Sequence, residues 1–267
     1  MKAQDSLPVM EHFYTLQGEG LHQGKAAYFI RLAGCDVGCV WCDVKESWDR
    51  SRHPEIPIDT LINEVKKTPA RIVVITGGEP FLYLDLQNLV ASIPQHINVK
   101  IWSGLGVDEK RFAREVERLP TNVSVVVSAE NIGPAYEFSR YGNTWSRFVN
   151  NLDQLTQQGI GYEFNATVTN LTVLGLKDFI DWADGTPINF QPCTDPDYLS
   201  IGVLDPQTKN LVQTNLEYLP DFISGALMVE PTEKQVYNLK VYIKEFTQRR
   251  SLNMDIFPTS LVSWLQQ

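Results

Sequence analysis

The stretch Gly34-Cys35-Asp36-Val37-Gly38-Cys39-Val40-Trp41-Cys42-Asp43 places three cysteines at the spacing C-x3-C-x2-C. Three thiolates on one short loop can hold three irons of a four-iron, four-sulfur (4Fe-4S) cluster and leave the fourth iron without a protein ligand. The alternative is a structural zinc site, which takes four closed ligands, usually from two separated pairs. No second pair accompanies this triplet, because Cys193 stands alone. The sequence therefore predicts a cluster with one iron open for chemistry.

Composition sets the class of protein. The 267 residues are 43% hydrophobic, which is ordinary for a globular chain of one or two domains. We expect a single domain over 1–267, with a core at about 10–192 and an irregular excursion plus C-terminal helices over 193–267. The net charge is 23 − 32 = −9. Nucleic-acid binding relies on clustered positive charge, so a nucleic-acid partner is not expected.

The location of the protein is also predicted from the sequence. Residues 1–9 lack an apolar segment of signal-peptide length, and no later segment approaches about 18 consecutive apolar residues. Cysteines clustered in one loop suit reduced thiols rather than disulfides that staple distant segments. We therefore expect a cytoplasmic protein with no membrane partner.

Short β-branched runs alternate with helical patterns, as in βαβ units with a largely parallel sheet. The candidate strands are 27–32, 71–76, 98–103, 123–128, 162–169 and 188–191. The candidate helices are 58–67, 84–93, 108–119, 145–158, 174–183, 233–248 and 260–265. Residues 194–219 have poor periodicity and dense turn residues, so we expect an irregular insertion there. The predicted class is α/β, with six strands in a partial barrel.

Two unusual motifs follow neighbouring strands. Cys35 comes soon after the first strand, and Gly77-Gly78-Glu79-Pro80 follows the second. Ligands gather at the carboxyl ends of parallel strands. Adjacent glycines let backbone approach a ligand closely, and Glu79 adds a carboxylate acceptor. The pattern predicts one site built from both motifs.

These motifs resemble the radical S-adenosylmethionine (SAM) superfamily, in which an aromatic residue precedes the last cysteine and the next strand ends in Gly-Gly-Glu-Pro. The resemblance implies a partial (βα)6 barrel, a 4Fe-4S cluster and SAM. It implies cluster binding by three residues: Cys35, Cys39 and Cys42. It implies SAM contacts by Trp41, Gly78 and Glu79. Ser103, at the end of the third strand, is a further candidate for SAM, and a strand-end cap is an equally good interpretation.

The resemblance also implies a reaction. A low-potential cluster donates one electron to the sulfonium and cleaves it, which generates a 5′-deoxyadenosyl radical. Cluster and cofactor carry that step, while the protein orients the substrate hydrogen and excludes water. An external electron donor of flavodoxin or ferredoxin type is the implied partner, and a homodimer is the implied assembly.

A second resemblance is narrower and covers roughly residues 10–82. Phe13-Tyr14-Thr15-Leu16-Gln17-Gly18-Glu19-Gly20, together with Phe29-Ile30-Arg31-Leu32-Ala33-Gly34-Cys35, is similar to the 7-carboxy-7-deazaguanine synthase family. That resemblance implies a lyase that converts 6-carboxy-5,6,7,8-tetrahydropterin to 7-carboxy-7-deazaguanine by hydrogen abstraction and ring contraction. Gln17 and Glu19 offer an amide and a carboxylate to a pterin edge, and Arg31 can hold a carboxylate. Because Arg31 lies in an apolar run, it requires an anionic partner.

The chain departs from that family at several positions. The family usually has a threonine that helps to hold magnesium after its Cys-Asp, and here Val44 cannot ligate; Mg²⁺ would need oxygen from Asp43 or Ser47. A family Ser-Pro-Lys appears here as Ser128-Ala129-Glu130. The later segments around 128–133 and 140–151 look instead like twitch-type radical enzymes.

These departures keep two alternatives open. One is a radical SAM enzyme acting on a different small molecule, a peptide or a protein, including a glycyl-radical activating enzyme. The other is a non-enzymatic iron–sulfur or zinc protein, which predicts bound metal without cleavage of SAM.

Overall fold

The computed structural model describes residues 5–18, 22–39, 41–42 and 44–267. Its strands are β1 Ser6–Leu16, β2 Ala26–Leu32, β3 Gly38–Cys39, β4 Glu55–Pro57, β5 Ile72–Gly77, β6 Asn98–Ser103, β7 Val123–Ser128, β8 Arg140–Tyr141, β9 Gly161–Val168 and β10 Ile188–Pro192. All six strands expected from the sequence are present, each within one residue of its expected ends. β-branched runs bounded by turn residues were therefore a sufficient signal for them.

Helices alternate with these strands. They are α1 Ile58–Lys66, α2 Leu86–Ser92, α3 Glu109–Val116, α4 Gly133–Ser139, α5 Trp145–Gln157, α6 Leu176–Ala183, α7 Pro206–Gln213, α8 Phe222–Leu227, α9 Glu233–Arg250 and α10 Thr259–Gln266. The seven expected helices are all found, while α4, α7 and α8 were not expected. None of the described helices combines the length and apolar character needed to cross a bilayer.

The sheet is mostly parallel and does not close. Its eight strands run in the order β10-β9-β7-β6-β5-β2-β1-β4. The pairs β2–β5, β5–β6, β6–β7 and β7–β9 are parallel. Four of the described strands were not expected from the sequence: β1, β3, β4 and β8. Of these, β1 pairs antiparallel with β2. The α/β class and the open partial barrel are confirmed.

Register divides the central strands into two faces. One face carries Ile30, Ile75, Ile101 and Val125 in a hydrogen-bonded row, each fully buried. The other, which we call the mixed face, carries two rows. The first is Phe29, Val74, Lys100 and Ser124, and the second includes Arg31, Thr76, Trp102, Val126 and Glu163. In β2, β5 and β6 this second row lies one residue before the carboxyl end of the strand.

The chain divides into two compact units. The first contains the described residues within 1–38, 44–128 and 141–165. The second contains those within 39–43, 129–140 and 166–267. The expectation of one domain over the whole chain stays a prediction.

Candidate active site

The Gly-Gly-Glu turn after β5 packs directly on the backbone that leaves β2. The Gly78 amide donates to the Leu32 carbonyl over 2.7 Å, and the Glu79 amide donates to the Gly34 carbonyl over 2.9 Å. A Cβ atom on Gly78 would lie 2.0 Å from the Gly34 oxygen. Only glycine permits this approach. The two motifs of the first unit, the cysteine lead-in and the Gly-Gly-Glu turn, are therefore brought together as expected.

The Glu79 carboxylate is enclosed by donors. It is 2% exposed, and it accepts from the Phe81 amide over 3.2 Å, the Ser103 hydroxyl over 2.7 Å and the Gly104 amide over 3.0 Å. Burial raises the pKa of Glu79 to about 7, against the lowering effect of these hydrogen bonds. The side chain thus ties the end of β5 to the end of β6.

Ser103 belongs to the same network. Its hydroxyl donates to Glu79 and accepts from the Leu105 amide over 3.0 Å, and Leu105 has a left-handed φ of 53°. The strand-end cap considered from the sequence is therefore present. The network shapes the turn that follows β6.

Two of the three residues expected to position substrate, Gln17 and Arg31, fall in or beside the β1–β2 hairpin. Gln17 is 7% exposed, and its backbone pairs with Lys25 and Gly24. Glu19 lies outside the described residues. Arg31 contacts the Glu11 carboxylate at 3.0 Å, and its guanidinium lies 5.7 Å from the Phe13 ring centroid. The anionic partner that Arg31 requires is thus supplied by the adjacent strand.

The cysteine loop is shared by the two units. Cys35 belongs to the first unit, where its Sγ contacts the Val37 carbonyl at 3.6 Å. Cys39 and Cys42 belong to the second unit. All four cysteines of the chain are thiols, and Cys193 is buried with its Sγ 3.6 Å from the Asp195 carbonyl.

A buried arginine lies beside the second part of the loop. The Arg140 Nη1 is 3.6 Å from the Cys39 Sγ, and the guanidinium lies 5.5 Å from the Trp41 ring centroid. Arg140 also donates from Nε to both Glu130 carboxylate oxygens over 3.1 Å. Burial acts to lower the pKa of Arg140, but the Glu130 and Cys39 charges outweigh it and raise this pKa, so the guanidinium stays charged. Glu130, which stands where the synthase family has a lysine, is therefore paired with the Arg140 guanidinium.

The donor set of the loop suits an iron–sulfur cluster, because three thiolates at this spacing can each bind a different iron. Among residues 5–18, 22–39, 41–42 and 44–267, no three His, Cys, Asp or Glu side chains converge as ligands of one ion. Hydrogen bonds to sulfur are one means by which proteins set a cluster's potential, and Arg140 offers one.

Comparison with known proteins decides the family. Residues 29–184 match the family model described as the radical SAM superfamily. The chain belongs to the radical SAM superfamily. Membership implies SAM and a 4Fe-4S cluster as cofactors. The fold is similar to that of a solved structure described as native anSMEcpe with bound AdoMet, which matches with a TM-score of 0.53 at 19% identity, over 72% of this chain and 59% of that one.

Curated relatives are more specific. A 7-carboxy-7-deazaguanine synthase of Flavobacterium psychrophilum is 56% identical over 79 residues, which is 30% of this radical SAM chain and 37% of that protein. A synthase of the same name from Aquifex aeolicus is 31% identical over 144 residues, 51% of this chain and 61% of that protein. The chain thus spans about two fifths to three fifths of the length of these relatives.

Three charged residues of this radical SAM chain were not given roles from the sequence. They are Arg140, Lys100 and Glu163. Lys100 contacts the Glu163 carboxylate at 3.3 Å on the mixed face. A signal existed, because Lys100 lies between Val99 and Ile101, and Glu163 lies between Tyr162 and Phe164. What the sequence could not supply was the register that places them together.

Proposed function

We propose that the chain is a radical SAM lyase of the 7-carboxy-7-deazaguanine synthase type, acting on 6-carboxy-5,6,7,8-tetrahydropterin. The observation that carries this proposal is the 56% identity over 79 residues to a curated synthase. Cys35, Cys39 and Cys42 would hold the cluster. When bound, cluster and SAM supply the radical that removes a substrate hydrogen.

The remaining residues bind and orient. Backbone of the Gly77-Gly78-Glu79 turn would receive the SAM amino group, while the Glu79 and Ser103 side chains hold that turn in shape. The Trp41 side chain is 8% exposed and lies beside Arg140, where it would shield the cluster from solvent. Arg31 keeps further guanidinium donors beyond the one aimed at Glu11, which suits a substrate carboxylate. Gln17 and Glu19 would meet one edge of the pterin.

Magnesium has little support from the residues present. Val44 has no ligating atom, and Ser47 is buried with its hydroxyl donating to the Val44 carbonyl over 2.7 Å. Asp43 lies outside the described residues. We expect the wild-type rate to change less than about twofold when Mg²⁺ is chelated, and Val44→Thr to add a Mg²⁺ response, because a hydroxyl would then join the oxygen ligands that Mg²⁺ prefers. Rates with EDTA and with added Mg²⁺ measure this, and a strict Mg²⁺ requirement in the wild type would contradict it.

The test is an anaerobic incubation of iron-reconstituted protein with SAM, dithionite and 6-carboxytetrahydropterin, followed by mass spectrometry. Formation of both 5′-deoxyadenosine and 7-carboxy-7-deazaguanine is expected. The control replaces Cys35, Cys39 and Cys42 with alanine and should give neither product. Failure of the wild type to turn over the pterin would refute the proposed substrate.

A second radical reaction is favoured by one observation. Glu130 and Arg140 form a buried pair where the synthase family has Ser-Pro-Lys, so the cation expected after β7 is replaced by an anion that is already paired. Deoxyadenosine without deazaguanine would favour this alternative, in which another small molecule or a peptide is the substrate. The electron donor and a homodimer remain proposals from the resemblance.

A further inference from the structure

The mixed face combines apolar walls with flat aromatic rings. Ala27, Phe29, Ile72 and Val74 form a buried cluster there, and Phe13 and Trp102 pack against it while remaining partly exposed. The Phe13 and Phe29 rings stack with centroids 5.5 Å apart and planes 12° from parallel. Ligand sites are typically apolar surfaces that carry a few well-placed polar groups. This face has the apolar part of such a site.

The polar part is the Lys100–Glu163 pair. The two side chains are 16% and 9% exposed, and the Nζ lies 3.3 Å from Oε1. Lys100 reaches diagonally from one row of the face to the next, across Ser124 and Val126. Both residues lie on the sheet face that carries Phe29, Val74 and Trp102. Burial lowers the pKa of His22 in the β1–β2 hairpin, and the Lys100 charge lowers it further. The pair thus adds charged groups to the same face as the aromatic surface.

The contribution of such a buried ion pair to folding stability does not by itself explain why the pair is present. Removing two charges from water costs several kcal/mol per ion, and well-packed apolar residues often serve as well or better. The neighbouring residues Val74 and Val126 show that apolar side chains are accommodated on this face. Recognition of a polar ligand would explain two charged residues at positions where apolar side chains could pack.

We infer that the Lys100–Glu163 pair reads the 2-amino-4-oxopyrimidine edge of a flat bicyclic substrate. The Glu163 carboxylate presents acceptors to the ring N3–H and the 2-amino group, and the adjacent Lys100 ammonium donates to the 4-oxo oxygen. The order acceptor, acceptor, donor on the protein matches donor, donor, acceptor on that edge. The aromatic rings of the mixed face offer surfaces against which the bicycle can stack. This inference rests on the proposed function, since a pterin carries that edge.

The assignment also divides the substrate between two groups of residues. Lys100 and Glu163 would take the pyrimidine edge, and Gln17 the opposite edge. Arg31, on the same row as Glu163, would be left for the carboxylate substituent. Each polar feature of the pterin then has a partner of complementary chemistry.

The test is equilibrium binding of two fluorescent probes to the full reconstituted chain with SAM and without reductant. The probes are pterin-6-carboxylate and lumazine-6-carboxylate, which differ because lumazine has an oxo group in place of the 2-amino group. The variants are Glu163→Gln and Lys100→Met. The matched controls are Glu64→Gln and Lys67→Met, which remove the charges of an exposed ion pair.

We expect the wild type to prefer the pterin. Glu163→Gln should weaken pterin binding at least about tenfold while leaving lumazine binding unchanged or stronger, because an amide can donate to the 2-oxo group. Lys100→Met should weaken both probes by similar factors, because both carry the 4-oxo oxygen. The control variants should bind as the wild type does. A purely structural pair would alter both probes together in both variants.

Three results would overturn the inference. Equal wild-type affinity for the two probes would do so, as would an unchanged preference in Glu163→Gln. If Glu163→Gln does not fold, Glu163→Asp replaces it, and an unchanged pterin preference in that variant, whose shorter side chain withdraws the carboxylate from the ring edge, would also count against the inference. In each case deazaguanine formation by the wild type would leave the proposed function standing. A wild type that neither binds pterin nor forms deazaguanine would remove both.

Discussion

Glu79 shows how one buried carboxyl couples the candidate site to pH. Its folded-state pKa of about 7 lies above the ordinary value of 4.5, because burial disfavours the charged form. The folded protein therefore holds this proton more tightly than the unfolded chain does. The stabilising contribution is complete below pH 4.5 and is lost as the pH rises through 7.

The expected loss is about 3 kcal/mol of unfolding free energy between these two pH values, at about 1.36 kcal/mol per pKa unit. Glu79→Gln, which cannot titrate, should remove this part of the pH dependence. Urea unfolding of both proteins from pH 4.5 to 8 measures the difference. The control Glu64→Gln should leave the pH dependence above pH 4.5 close to that of the wild type, because the Lys67 hydrogen bond lowers the pKa of Glu64 and moves its titration below this range. Parallel curves for wild type and Glu79→Gln would show that Glu79 is ionised throughout.

Gly78 illustrates a second residue-level constraint, set by backbone rather than charge. Gly78→Ala should destabilise the fold by about 3 kcal/mol or more, because its Cβ would lie 2.0 Å from a backbone oxygen that cannot move aside. Gly161→Ala is the matched control, since nothing lies within 4 Å of its Cβ position. Thermal or urea unfolding of the two variants measures the contrast. Equal stability of the two would mean that the turn can shift.

At the scale of elements, helix α7 lies within residues 194–219, a segment whose sequence pattern predicted an irregular insertion. Asp205 caps this helix by accepting from the Gln207 and Thr208 amides over 3.0 and 3.1 Å, and Pro206 occupies its first turn. An Asp-Pro pair is a helix-start signal, yet the dense turn residues around it favoured a loop. The same residues thus support two local interpretations, and packing selects the helix.

Asp205→Ala should cost about 2 kcal/mol of unfolding free energy, because the cap is lost and the buried Thr208 hydroxyl loses its acceptor. Thr232→Ala removes the exposed cap of α9 and should cost about 1 kcal/mol. Urea unfolding compares the two variants. A smaller effect at Asp205 than at Thr232 would contradict the assignment.

For the whole molecule, the cysteine triplet predicts cluster loading independently of any substrate. Reconstituted wild type should hold about four irons and four sulfides per chain. Each of Cys35→Ala, Cys39→Ala and Cys42→Ala should lower the iron content and abolish SAM cleavage. Cys193→Ser is the control and should load normally, because serine keeps a donor toward the Asp195 carbonyl. Iron and sulfide assays with electron paramagnetic resonance of the reduced protein measure loading, and loss of the cluster in Cys193→Ser would show that Cys193 takes part.

The sequence by itself determined the six expected strands and the superfamily and predicted the cluster loop, because each of these depends on a local pattern: β-branched runs, a glycine pair after a strand and cysteine spacing. Only the tertiary structure decided which groups meet. In the folded chain Arg31 contacts Glu11, Ser103 donates to Glu79, and Lys100 contacts Glu163. These pairs join residues 20 to 63 positions apart, and strand register, which no local pattern encodes, sets which side chains share a face.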